Sequence, residues 1–343
     1  MKPLEVMTLE QAQTMMREHR VMVVEERGVS FFEGKAIVFS QFGAKPEFGE
    51  VAAGAKKFVE LECDFLVAVG KRGAIDIAKG IKYLLRKNIP FLAIPSVGAT
   101  GSEASQEALI YRNGQVEPLS DPTLVADYVV LENHPSLALS LEEKRLAFMA
   151  VLCQAIESLW AKNKTSKSLA YGKEAVELLA KNLEAYLDDL PCNDWVQQQM
   201  LRAAHLSGKA INLTGTGLVR ALSYELVKKC EISLDHAISL CLPHCWEQMG
   251  GHHDIANYLG YETSEDAILF LKGQKFSVPP HVTMEQLEQL VDAINLKRLG
   301  NHPVSLTKQE LHLLFRKILN TPLNVLNVKE SVVKPKRKKL DYA

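Results

Sequence analysis

Hydrophobic positions follow two different periods along the chain, and the change between them falls near residue 133. Short continuous apolar runs come first, at 21–24, 36–39, 65–69 (ending in Gly70), 91–94 (stopped by Pro95) and 127–131. Runs of this length, bounded by Gly or Pro, suit strands buried on both faces of a parallel sheet. Between them, 50–61 and 74–86 carry apolar residues at helical spacing. Strands alternating with helices predict a doubly wound, Rossmann-like α/β sheet. Beyond Asn133 the period becomes helical throughout. Ser140-Leu141-Glu142-Glu143 has the form of a capped helix start, and helical pattern continues to about Lys229. Further helices are expected at 264–271, 283–294 and 307–319, each with Ser or Thr at its start and acidic residues close behind. The fold class predicted is therefore an N-terminal α/β domain over 1–133 followed by an all-helical C-terminal domain over 134–343. A chain of 343 residues favours two domains, and 47 % hydrophobic residues are enough to fill two cores.

Charge narrows the partners. The formal net charge of -1 gives no global electrostatic case for nucleic acid or a membrane surface. The basic stretch Lys334-Pro335-Lys336-Arg337-Lys338-Lys339 reads as a solvated end. There is no apolar run long enough to span a bilayer and no secretory-type start. Cys63, Cys153, Cys192, Cys230, Cys241 and Cys245 lack a framework spacing. A cytoplasmic location with free thiols is the expectation.

Three blocks carry a resemblance. The first runs from Asp64 through Gly70-Lys71-Arg72-Gly73 and Asp76 to Lys79, a strand, a turn and a helix. The second is Ile94-Pro95-Ser96-Val97-Gly98-Ala99-Thr100-Gly101-Ser102-Glu103, and the third is the helical region from Ala150 to about Leu242. In order and separation they resemble the iron-containing alcohol dehydrogenase superfamily, of the dehydroquinate synthase-like fold. Within it, Gln154 to Trp160, Gly208 to Asn212 and Ala221 to Tyr224 are similar to the phosphonoacetaldehyde reductase branch. The resemblance implies a nicotinamide cofactor, NAD(P), that carries the hydride, and a divalent metal that polarises the substrate oxygen. It also implies phosphates held by a glycine-rich turn at a helix N-terminus. The cofactor-binding positions it implies are Gly70, Lys71, Arg72, Gly73, Asp76, Ser96, Thr100, Gly101 and Ser102.

The departures matter as much as the matches. Lys71 and Arg72 stand where the family has glycines, so either they obstruct the pyrophosphate, or they grip an anion by side chain, or they are solvated turn residues. Ser96, Val97 and Ala99 replace two threonines and a glycine, and Ser102-Glu103 could do no more than cap a helix. The family's four metal-ligand positions fall on Ala150, Gln154, Arg220 and Leu234, a set unable to hold iron or zinc. His236 reads as a core or supporting histidine rather than a displaced ligand. Cys241, His244 and Cys245, with His252 and His253 after them, are weighed as a relocated metal site and read as a packed helix end. Too few residues separate 21–24 from 36–39 for a full crossover helix.

These readings predict a degenerate family member without metal-dependent reductase activity that acts as a binding or partner subunit. NAD(P) binding should be weak and no metal is expected. The partners expected are a protein or a second copy of the chain, and a small anion. The alternative is a metal-independent NAD(P)H-dependent reductase of a small aldehyde such as phosphonoacetaldehyde, with Arg220 as its catalytic cation. In either case Arg220 is expected to enter the metal's place, donate to the Gln154 amide oxygen, and be neutralised by Glu157 or Asp235.

Overall fold

The structure is a computed structural model, described over residues 4–26, 36–43, 45–132, 139–188, 193–250, 252–279 and 282–320. Cys192, the basic stretch after Lys334 and most of the 25–35 connection lie outside these residues, as does the boundary at 133–138. The N-terminal part runs β1 (Glu5–Val6), α1 (Leu9–Met16), β2 (Val21–Glu25), β3 (Ile37–Phe39), α2 (Phe48–Glu60), β4 (Phe65–Gly70), α3 (Arg72–Leu85) and β5 (Phe91–Pro95). After it come β6 (Glu107–Arg112), β7 (Gln115–Ser120) and β8 (Tyr128–Val129). Six strands form one all-parallel sheet in the order β1-β8-β5-β4-β2-β3, with Val67 beside Val23 on one side and Leu92 on the other.

The continuous apolar runs are explained by the two faces of this sheet. Leu66 and Ala68 pack with α2 and α3, while Phe65, Val67 and Val69 pack with the α1 side. Successive residues of a strand point to opposite faces, so a strand covered on both must be apolar at every position. The sheet is thus doubly wound, as the pattern predicts. The strand expected at 127–131 is shorter, only Tyr128–Val129, and β1 and α1 were not anticipated.

The other unpredicted element is the antiparallel hairpin β6–β7. Its turn is Asn113-Gly114, with φ of 53° and 74°, the left-handed pair that matches strand twist. The hairpin joins the two halves of the molecule. Ile110 enters the core beside α2 and α3, whereas its neighbours Leu109 and Tyr111 enter the helical core.

The helical region comprises α4 (Leu141–Trp160), α5 (Ser166–Tyr186), α6 (Asp194–Thr214), α7 (Leu218–Cys230), α8 (Leu234–Met249), α9 (His253–Tyr258), α10 (Ser264–Lys272), α11 (Met284–Asp292), α12 (Leu296–Asn301) and α13 (Lys308–Ile318). The predicted starts hold: Ser140 and Glu143 form a reciprocal cap on α4, as do Thr283 with Gln286 and Thr307 with Glu310. Helix α4 is buried on nearly all sides, so its sequence has little amphipathic contrast.

At the end of α4, Trp160 lies edge-on to Trp246 (5.9 Å) and His302 (6.2 Å). Burial, with Lys162 and His252 nearby, pushes the His302 imidazole down to about 4. The folded state therefore refuses a proton that the unfolded chain takes near 6.5. The stability from neutral His302 is fully present above that value and lost as pH falls towards 4. We expect about 3 kcal/mol of acid-side loss from this residue, read from urea unfolding between pH 7 and 4. H302Q should flatten that part of the profile; an unchanged slope would show that His302 does not control it.

Candidate active site

The site begins where β4 ends. Gly70 has φ +137°, and a Cβ there would meet the Glu26 carboxylate and Ala74 at 3.3 Å, so glycine is required. The chain then enters α3, whose N-cap is Lys71 with no side-chain cap. A helix start of this kind offers unpaired N–H groups and favours anions. Here the anion is the chain's own: Lys71 N–H donates to Glu26 Oε1 at 3.1 Å.

The two cations of the turn are also engaged from within. Lys71 Nζ donates to Glu143 at 2.9 Å, and Arg72 to Asp235 at 3.1 Å. Glu143 and Asp235 lie in the first turns of α4 and α8, where a carboxylate also complements the helix dipole. Burial opposes the Glu143 charge, but hydrogen bonds from Lys71 and Ser140 outweigh it and hold the carboxyl below its usual range. Of the three readings of Lys71 and Arg72, none describes the outcome fully. They bind anions by side chain, but the anions are carboxylates of the helical region. Beside them, between Tyr111 of the hairpin and Leu234 of α8, lies a cavity of about 510 Å³.

Deeper in, Asp76 accepts from Ser102 Oγ (2.6 Å) and Leu109 N–H (3.1 Å). Both residues are buried, and burial raises the Asp76 pKa against the pull of Lys79 and Arg72. Lys79, wholly buried one turn along α3, donates to the carbonyls of Ser102, Ser105 (2.8 Å) and Glu107 (2.8 Å). Burial draws its ammonium down to about 8, although Asp76 and Glu103 act the other way. Ser96 and Thr100 are buried, and the Thr100 hydroxyl has no partner. Ser102 opens a 3-10 turn, Ser102–Ala104, without capping it by side chain. Gly101, at φ +78°, lies against the backbone of α6.

Ala150, Gln154, Arg220 and Leu234 are all buried, on α4, α7 and α8. Gln154 and Arg220 line a second, smaller cavity of about 40 Å³, and Leu234 lines the larger one. Ala150 and Leu234 have no donor atom, and the Gln154 amide nitrogen donates to the carbonyls of Thr100 (2.6 Å) and Ala150 (3.3 Å). Arg220 does enter the interior, but its expected partners are elsewhere. Asp235 is held by Arg72. Glu157 accepts from the N–H groups of Gly217 (3.1 Å) and Arg220 (3.3 Å), so it caps α7 through the backbone and does not pair with the guanidinium. The physical reason is competition: the uncapped start of α7 at Gly217 needs an acceptor, and Glu157 supplies it.

His236 is half-buried at the start of α8, with Nε2 2.8 Å from the Ser277 carbonyl, and so is not a core residue. Cys241 and Cys245 are buried, and burial raises both thiols, Cys241 to about 12. Among the described residues no three His, Cys, Asp or Glu side chains are grouped so as to hold a metal ion. Sequence reasoning missed Glu26 and Arg298. Arg298, on α12, pairs with Glu107 at 3.0 Å, donates to Thr216 and lies over the Tyr224 ring. No local signal marks either residue, because each acts across the fold.

Comparison with known proteins shows which family the chain resembles. The family model "Iron-containing alcohol dehydrogenase" matches residues 11–133, and "Fe-containing alcohol dehydrogenase family, C-terminal" matches 146–297. A phosphonoacetaldehyde reductase of Streptomyces viridochromogenes is 28 % identical over 219 residues, 56 % of this chain and 55 % of that one. The chain spans about half the length of the curated relatives it matches. Among solved structures, a sulfoacetaldehyde reductase from Bifidobacterium kashiwanohense in complex with NAD+ superposes with a TM-score of 0.82 at 22 % identity, over 94 % of this chain and 98 % of that one. An iron-containing alcohol dehydrogenase from Thermotoga maritima gives 0.76 at 21 %, over 94 % and 99 %. At these identities the structural likeness speaks for the fold alone.

Proposed function

The chain belongs to the iron-containing alcohol dehydrogenase family, and from that premise we propose that it is a non-catalytic member, a binding or partner subunit without metal-dependent reductase activity. The observation that carries this reading is the chemistry at the four ligand positions. Two side chains there have no donor, one amide is turned to backbone carbonyls by its nitrogen, and one is a buried cation. A divalent cation needs several donors and no neighbouring positive charge, so these residues do not fit it. The closed turn supports the same reading. Glu26, Glu143 and Asp235 meet the groups at the α3 start, and an incoming pyrophosphate would have to displace them. The test is titration of NADH and NADPH into purified protein. Weak or absent binding is expected; micromolar affinity for either would contradict the reading.

One variant isolates the turn. E26Q removes a carboxylate from the phosphate position, and ADP should then bind about tenfold more tightly, equivalent to ~1.4 kcal/mol. Calorimetry would read this directly, and an unchanged affinity would show that Glu26 does not compete. A second reading is favoured by Arg220 itself. A buried guanidinium without a hydrogen-bonded carboxylate could polarise the carbonyl of a small aldehyde such as phosphonoacetaldehyde in a metal-independent reduction. That reading requires bound NAD(P)H, so the same titration decides between the two.

A further inference from the structure

We propose that the small cavity in front of Arg220 is a binding site for a small oxyanion, a carboxylate or a phosphate, held by the guanidinium. The inference rests on the non-catalytic reading of the same site and names the ligand that site would take. Arg220 is 3 % exposed, its Nε has no hydrogen-bond partner, and no ion pair joins it to any described carboxylate. A guanidinium does not escape burial by losing its proton. Burial works against its charge, yet its pKa stays above the ordinary value, so the group is a cation throughout. A buried cation with no hydrogen-bonded counter-ion calls for one.

None of the internal candidates pairs with the guanidinium. Asp235 is bound to Arg72, and Glu107 to Arg298. Asp76 is held by Ser102 and Leu109. Glu157 gives Oε1 to the start of α7, its Oε2 is buried without a hydrogen-bond partner, and it forms no ion pair with the guanidinium. Arg220 lines a cavity of about 40 Å³ with Gln154, Thr216 and Tyr224, and with Asp76 and Glu107, whose carboxylates are held by Ser102 and Leu109 and by Arg298. That is room for about three water-sized groups, enough for the oxygens of a carboxylate or one face of a phosphate and far too little for a nucleotide. Two oxygens on one centre match the parallel N–H groups of a guanidinium, which is the geometry that recognises carboxylate and phosphate.

The experiment is isothermal titration of the full chain with sodium acetate and with inorganic phosphate, at constant ionic strength. One saturable site per chain is expected, and whichever anion binds tighter identifies the source. R220Q should weaken binding by at least about tenfold. R112Q, which removes an exposed cation paired with Glu117 outside the cavity, should leave it within about twofold. If R220Q does not fold, R220K serves: it keeps the charge but not the fork, so affinity should fall while a site remains. Absence of saturable binding by folded wild-type protein overturns the proposal, as does binding that R220Q leaves unchanged or R220K does not weaken. Metal analysis of the same sample separates the two claims. Bound metal would overturn the non-catalytic reading, whereas no metal and no anion would overturn only the oxyanion site.

Discussion

G208A should destabilise the protein by about 3 kcal/mol, although alanine is the better helix former by ~1 kcal/mol. Gly208 lies in the middle of α6, where a Cβ would sit 2.1 Å from the Gly101 carbonyl oxygen and 3.1 Å from Ala104 Cβ. From the other side, a Cβ on Gly101 would lie 2.0 Å from the Ala204 carbonyl oxygen. Backbone meets backbone, so no side chain can turn aside to make room. The contact joins the 3-10 turn of the α/β part to α6 of the helical part, and relief would require the two to separate. G49A is the control. Gly49 lies in the exposed first turn of α2 with nothing within 4 Å of the added Cβ, and the change should be neutral or stabilise by up to about 0.5 kcal/mol. The urea unfolding midpoint of G208A should fall, while that of G49A should stay or rise slightly. Equal shifts would mean that the α6 seam yields, contrary to the packing described.

K79M should cost about 3–5 kcal/mol, the range for stranding buried polar partners of a removed charge. Methionine keeps most of the stem's volume, so the loss is not a cavity effect. The carbonyls of Ser102, Ser105 and Glu107 would be left without their donor, and Asp76 would lose its nearest cation. These carbonyls form the turn that leads into β6, so the hairpin should loosen as well. Faster amide hydrogen exchange in 107–120 would report this. If K79M/D76N were no more stable than K79M alone, Asp76 would not be the strained partner.

Much of the fold is legible in the sequence because period and burial agree. Strands covered on both faces are apolar at every position, and helices announce their starts with Ser or Thr and a residue three places on. The hairpin was legible too: Asn113-Gly114 between Glu107–Arg112 and Gln115–Ser120 is a strong turn signal. In β7, Glu117 and Pro118 interrupt the alternation of apolar and polar residues. The site was legible as a set of positions but not as a set of partners. Arg220 was expected to meet Asp235 or Glu157, and neither pairing forms. Asp235 faces the α3 turn, where Arg72 is nearer, and Glu157 is claimed by the α7 backbone. Which carboxylate meets which cation depends on how helices from distant parts of the chain are set against the sheet, and no local pattern encodes that.

The central claim is that the four ligand positions no longer hold a metal. Elemental analysis tests it most directly, on protein produced with iron and zinc supplied and then dialysed without chelator. The account predicts far less than one equivalent of any transition metal per chain. One tightly held iron or zinc per chain would contradict it.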